Sequence, residues 1–279
     1  MRATRGMKAL AALLALGLAT PAQADDLTDF LGRHGCTIGA QSRAAALAAG
    51  FTAAQLDTLV ETALAAGHAS QQRAYVVLDE ATCTIRLPDF SDGDTLADPA
   101  NAVLVTAIDR FAADGDPGCF LPYSSESYRQ RYPTDDGSTR HLRFLARGIT
   151  EGTMRFHSPS PLRTPPSFQV LTGACAAAPN VPAIRRSQRH ISDADFGAYI
   201  RRRMQSIDCD NPGYSPELHA STITLQGADP EAVDKADPPI NAWLWFEYDI
   251  IGFAAGWLEG ATWAAKGDPR PPLCHYPAE

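Results

Sequence analysis

Carboxylates near the C-terminal end are the first candidates for chemistry in this chain. Glu247, Asp249 and Glu259 lie in a long run rich in apolar residues. A hydrolase needs carboxyl groups in such surroundings, because burial moves their pKa toward neutral pH. Glu247 and Asp249 are two positions apart and point to different sides of a helix, so they form no local pair. Glu247 and Glu259 are the catalytic candidates, and each also has a structural interpretation as the partner of an arginine or a backbone donor.

Arginines form a dense basic cluster around a helix that is predicted to begin at Ser192. Arginine binds carboxylates and phosphates through paired hydrogen bonds, so the cluster predicts a site for an anionic ligand, either an acidic envelope protein or an anionic glycan. The alternative is a solvated helix end whose positive charges complement the helix dipole. The cluster consists of Arg185, Arg186, Arg189, Arg201, Arg202 and Arg203.

All six cysteines follow residue 24, and none belongs to a Cys-x-x-Cys pair. This pattern indicates disulfides in preference to a redox centre or a tetrahedral zinc site. Six cysteines allow 15 pairings. We expect sequential pairing, whose first bridge would keep the N-terminal module self-contained. The expected bridges are Cys36 with Cys83, Cys119 with Cys175, and Cys209 with Cys274.

Other catalytic signatures are missing from the sequence. There is no Gly-x-Ser-x-Gly, Ser-x-x-Lys or His-Glu-x-x-His motif, and no glycine-rich phosphate loop. The seven histidines lack helical metal-ligand spacing. We therefore expect no metal and no cofactor. The pattern favours a protein that acts by binding; an envelope hydrolase acting on glycan or peptide is the alternative, and a structural subunit of an envelope complex is a third possibility.

The first residues have the layout of a secretory signal peptide. Arg2, Arg5 and Lys8 precede an apolar run over residues 9–19, and small residues lead to a cleavage site near Ala24. The run is too short to span a bilayer. We expect the mature chain to occupy the periplasm, with secretion as the alternative.

The charge balance argues against two classes of partner. The whole chain carries a formal charge of −8, and removing Arg2, Arg5 and Lys8 with the leader makes it −11. An acidic surface repels nucleic acid and anionic lipid. Glu247 and Asp249 also make a transmembrane segment in the mature chain improbable on energetic grounds. The sequence predicts no particular oligomeric state.

The elements that must position these residues divide into two modules of an α+β protein. Residues 25–88 predict three short helices and a hairpin, a winged-helix-like arrangement. Its third helix carries Asp57 and Glu61 and no basic residue, which favours a docking module over one that binds DNA. The predicted helices cover 27–33, 40–49 and a segment capped by Thr52 that ends before 67, and the predicted hairpin strands cover 74–78 and 83–87.

A polar linker over 89–98 is predicted to lead into a larger α+β domain over 99–279. The C-terminal run 240–266 predicts one long core helix with Trp243, Phe246, Ile250, Phe253 and Trp257 on its buried face. The other predicted elements are a helix over 100–112, a hairpin of 141–147 with 154–157, strands at 168–171 and 221–225, and a helix from Ser192 to Arg203.

Overall fold

The computed structural model describes residues 21–133, 136–156, 168–187, 191–212, 242–259 and 267–277. The fold is α+β, as predicted. The helices are α1 (Pro21–Arg33), α2 (Ala40–Ala48), α3 (Ala53–Ala65), α4 (Pro99–Ala102), α5 (Ser124–Arg131), α6 (Asp136–Thr150), α7 (Val181–Ser187), α8 (Asp193–Ser206) and α9 (Ala242–Ala254). The strands are β1 (Thr37–Ile38), β2 (Ala69–Gln72), β3 (Tyr75–Leu78), β4 (Met154–Phe156), β5 (Phe168–Val170), β6 (Leu258–Glu259) and β7 (Asp268–Pro269).

The strands form small antiparallel sheets, with the order β1-β3-β2 in one and the pairs β4-β5 and β6-β7 in two others. The predicted hairpin of 74–78 with 83–87 is wrong, because β3 pairs with the preceding strand, with Gln72 opposite Tyr75. Residues 83–87 form no strand, since they run between two helices. The three helices and a hairpin of the N-terminal module are present, and the winged-helix likeness stays a prediction.

Two glycines make room for the segment 83–87. Gly32 lies on α1, where a Cβ would come within 2.4 Å of the Thr84 carbonyl oxygen. Gly197 lies on α8, where a Cβ would come within 2.9 Å of the Ile85 carbonyl oxygen. The segment is therefore clamped between these helices at distances that a larger side chain would prevent.

The predicted strand over 141–147 is also wrong, because these residues belong to α6. Leu142, Ala146 and Ile149 pack in the main core, whereas Phe144 and Leu145 pack in a second apolar cluster. A helix that is apolar on two sides shows alternating apolar and polar residues over a short window, and this alternation is also typical of a strand. The predicted strand at 168–171 is confirmed as β5, which pairs with β4.

The predicted helix over 100–112 stops at Ala102. Thr106 N donates a hydrogen bond to the Phe120 carbonyl at 3.1 Å. Phe120 N donates in turn to Thr106 Oγ1 at 2.9 Å. This pairing with a distant segment replaces the helical hydrogen bonds, so the prediction is wrong beyond α4.

The C-terminal helix is shorter than predicted and buries a different face. It ends at Ala254, and Gly256 has a φ of +76°, which turns the chain toward β6. Trp257 is buried after this turn. The predicted stripe of Phe246, Ile250 and Phe253 is half-buried. The buried face of the helix consists of Leu244, Glu247, Tyr248, Ile251 and Ala254.

The disulfide pairing follows the sequential prediction. The bridges join Cys36 to Cys83, Cys119 to Cys175, and Cys209 to Cys274, and no described cysteine is free. Three disulfides fit an exported, disulfide-stabilised protein.

The main core draws on both predicted modules. Leu31 and Ile85 from the N-terminal part pack in one cluster with Phe196, Tyr248 and Trp257. The predicted linker also carries a core residue, Phe90. The division into two domains stays a prediction, whereas the shared core is a feature of the structure. The predicted strand at 221–225 and residues 1–20 of the predicted leader over 1–24 lie outside the described residues, and residues 21–24 of that leader form the start of α1.

We expect G32A to destabilise the protein by about 1–3 kcal/mol, because the new methyl group overlaps the Thr84 carbonyl. Helix propensity alone predicts the opposite sign, a gain of up to about 1 kcal/mol. Urea unfolding with the disulfides intact measures the difference. A44G, at an exposed position of α2, supplies the intrinsic effect of glycine in a helix. A more stable G32A protein would contradict the close packing of segment 83–87.

Candidate functional site

The three consecutive arginines at the end of α8 point in three directions. The Arg201 guanidinium donates to the Leu78 carbonyl at 2.6 Å and to the Cys83 carbonyl at 2.8 Å. Burial lowers the pKa of Arg201. Arg201 therefore fastens the 78–83 loop to α8, which is a structural role.

Arg203 lies inward and pairs with a buried carboxylate of α9. Its Nε is 3.3 Å from Asp249 Oδ1, which also accepts a 2.8 Å hydrogen bond from the Tyr199 hydroxyl. Burial raises the pKa of Asp249, and the Arg203 guanidinium opposes that effect. Burial and the neighbouring Asp249 charge also raise the pKa of Tyr199. This buried group of three side chains joins α8 to α9.

Arg202 is the member of the triplet that faces solvent. Its side chain has no hydrogen-bond or ion-pair partner among the described residues. Arg185 donates to the Leu171 carbonyl at 2.7 Å on another part of the surface. The side chain of Arg186 and all of Arg189 lie outside the described residues. Of the predicted arginine cluster, the structure thus brings Arg201 and Arg202 to one surface.

Glu247 is one of the most buried charged residues, with 2% of its surface exposed. Its Oε1 accepts a 2.8 Å hydrogen bond from Phe156 N, and its Oε2 is 3.9 Å from Arg155 Nη1. Burial raises its pKa from the usual 4.5 to about 7, and Arg155 limits the rise. Glu247 thus fixes α9 to β4. The side chain of Glu259 lies outside the described residues.

A groove of about 830 Å³ lies along α8. Segment 83–87 runs antiparallel to the helix beside it: Arg201 contacts the Cys83 carbonyl, and Leu87 N donates to Asp193 Oδ1 at 2.7 Å. The groove is lined by Glu80, Thr84, Ile85, Asp193, Ala194, Asp195, Gly197, Ala198, Tyr199, Arg201, Arg202, Gln205 and Ser206. Its size suits a small ligand or a short stretch of a larger one.

The ends of α8 are fixed by local sequence signals. Ser192 caps the helix, as predicted, and its Oγ accepts from Asp195 N at 3.2 Å. The exposed Ala194 and Ala198 are four residues apart, so small side chains follow one another along the helix surface beside the groove. Sequence reasoning missed this stripe, although the i, i+4 spacing of the alanines was visible, and it interpreted the acidic first turn only as a helix-start signal.

Ser124 and His141 bring together the residue types of a nucleophile and a base. Ser124 Oγ is 2.8 Å from His141 Nε2 and also donates to the Leu121 carbonyl at 3.2 Å. Ser124 is buried, so the pair joins α5 to α6 within the protein. In the parts of the chain that the structure covers, no three His, Cys, Asp or Glu side chains are placed to hold a metal ion. No described helix is long and apolar enough to cross a membrane.

No protein-family model, curated protein or solved structure matches this chain.

We expect the three arginines of α8 to differ sharply when each is replaced by glutamine. R203Q leaves Asp249 buried without its cation and should cost about 3–5 kcal/mol. R201Q removes two hydrogen bonds to carbonyls and should cost about 1–3 kcal/mol. R202Q should change stability by less than about 0.5 kcal/mol. Chemical unfolding measures all three, and equal losses would contradict the division of roles.

We expect stability to depend on pH through Glu247. Because its pKa is about 7 in the folded protein and 4.5 ordinarily, the folded state holds its proton more tightly. Raising the pH from about 4.5 to 7 should therefore lower the free energy of unfolding, by about 3 kcal/mol relative to E247Q. Urea titrations across this window measure the difference, with the exposed Glu61 replaced in E61Q as control. Parallel pH profiles for E247Q and the unmodified protein would contradict the assignment.

Proposed function

We propose that the protein is an exported periplasmic protein that acts by binding, with a signal peptide that is cleaved near Ala24, and that it holds an anionic ligand in the groove along α8. Arg202 supplies the anion contact. The observation that carries the proposal is an exposed arginine without a partner among the described residues, at the edge of an 830 Å³ groove. Guanidinium groups that have no internal partner bind carboxylates and phosphates through paired hydrogen bonds.

The rigidity of the walls supports the same proposal. The Cys36–Cys83 bridge holds one end of segment 83–87 covalently, and Arg201 holds that end to α8. Asp193 holds the other end through Leu87 N. A groove whose walls are fixed before binding loses little conformational entropy when a ligand enters.

A carboxylate-dependent envelope hydrolase is the second candidate, and the pKa of Glu247 near 7 favours it, since a general acid works best near the ambient pH. Glu247 is not part of the groove, however. Its hydrogen bond to Phe156 N gives it a structural use. The binding function is the better supported of the two.

A fluorescent label in the groove tests the proposal. Because no described cysteine is free, a thiol introduced as A198C can be labelled selectively with bimane. Protein, glycan and low-mass fractions of a cell-envelope extract are then added. We expect one fraction to change the emission, and the R202Q change to weaken that response at least about tenfold.

Two variants control this measurement. A107C carries the label at an exposed position outside the groove and should not respond. R110Q removes a different exposed arginine and should leave the response intact. A response that survives R202Q, or that A107C shares, would refute the proposed site. Release of a cleaved product that E247Q abolishes, with its folding intact, would establish the hydrolase instead.

A further inference from the structure

The charges along the groove are separated by sign. Asp193 and Asp195 lie at the N-terminal end of α8, and Arg202 lies near the other end. Arg202 is nine positions after Asp193 and seven after Asp195, which is about 13 Å and about 10 Å along the axis. Between them the helix presents the uncharged Ala194 and Ala198.

We propose that the groove binds an unblocked peptide of about four residues in an extended conformation. Its N-terminal ammonium lies at Asp195, with Asp193 adding negative charge to the same end of the groove, and its C-terminal carboxylate lies at Arg202. Four extended residues span about 13 Å, which matches the separation of the charges. This inference rests on the proposed binding function and names the ligand class of the same groove.

The acidic end of the groove has carboxylate oxygens that can accept further hydrogen bonds. Asp193 Oδ1 accepts from Leu87 N, and Asp195 Oδ2 accepts from the Ser192 hydroxyl at 2.9 Å. The second oxygen of each carboxylate has no hydrogen-bond partner in the described part of the chain. Asp193 and Asp195 are two positions apart on the helix and face different directions, so an ammonium group hydrogen-bonds to the free oxygen of Asp195 and is attracted by the charge of Asp193.

The basic end selects for a single negative charge. Arg202 is available, whereas Arg201 donates to two backbone carbonyls. Glu80 also lines the groove and acts on Arg201 electrostatically. It repels a ligand that carries further negative charge at this end, which favours one terminal carboxylate over a polyanion.

The middle of the groove offers a main-chain donor. The backbone N–H of Ile85 has no hydrogen-bond partner among the residues that the structure describes, and it points away from the Thr84 carbonyl, which faces α1 at Gly32. Ile85 lies on segment 83–87 and lines the groove. An extended peptide pairs with such a donor through one of its carbonyls, and main-chain pairing is indifferent to side-chain identity. The groove is therefore suited to peptides of varied sequence.

Random tetrapeptide pools with defined ends test the inference. Four pools are prepared, with the N-terminus free or acetylated and the C-terminus free or amidated, and each is equilibrated with the full mature protein by dialysis and quantified by mass spectrometry. We expect the doubly free pool to bind best, and each blocked end to reduce binding about tenfold. R202Q should abolish the effect of amidation alone. The double variant D193N/D195N should abolish the effect of acetylation alone.

The exposed Asp109 and Arg110 lie outside the groove, so D109N and R110Q are matched controls that should bind all four pools as the unmodified protein does. Binding that is insensitive to acetylation would overturn the peptide inference and leave the anion site standing. The peptide inference would also be overturned, and the anion site would still stand, if no pool bound while the bimane label still responded to an extract fraction through Arg202. Failure of both measurements would overturn the proposed function as well.

Discussion

Helix α9 carries two carboxylates into the interior, and the arrangement of its neighbours follows from the need to pair them. Removing a charge from water costs several kcal/mol unless hydrogen bonds or an opposite charge compensate. Glu247 is compensated by Phe156 N and Arg155, which fixes α9 to β4. Asp249 is compensated by Tyr199 and Arg203, which fixes α9 to α8. Since the two carboxylates leave the helix on different sides, α9 sets the positions of two other elements, strand β4 and helix α8.

The rotation of α8 about its axis is a consequence of this pairing. Successive residues of a helix are about 100° apart, so Arg201, Arg202 and Arg203 cannot share a direction. With Arg203 directed at Asp249, Arg201 reaches the 78–83 loop and Arg202 is left facing solvent. A run of three arginines therefore supplies two structural contacts and one cation, Arg202, whose side chain has no partner among the residues that the structure describes. The choice among them is made by a carboxylate 46 positions further along the chain from Arg203, which is why local sequence could not make it.

What the sequence predicted correctly depends on short-range signals. The Thr52 and Ser192 caps are confirmed because a cap is defined within four residues. Sequential disulfide pairing is confirmed as well and is the exception, because its bridges join cysteines 47, 56 and 65 positions apart. The errors arise where a second packing partner changes the pattern: α6 is apolar on two sides and resembles a strand, and α9 turns its glutamate inward and leaves its aromatic stripe half-buried. The groove is lined by residues far apart in the chain, such as Thr84 and Asp193, and the hydrogen bond from Leu87 N to Asp193 that holds its wall joins positions 106 apart, so its existence depends on tertiary structure alone.

The pairing of Glu247 with Phe156 N and Arg155 also bears on whether the protein acts by binding or by catalysis. A general acid must reach the bond that it protonates, and its proton must exchange with the substrate. Glu247 has the pKa for that task but is enclosed by the β4 backbone and Arg155, so its raised pKa is the result of its structural burial. The charged groups of the groove, by contrast, are accessible to a ligand. Accessible charged groups recognise a ligand by charge and spacing, as a binding site does.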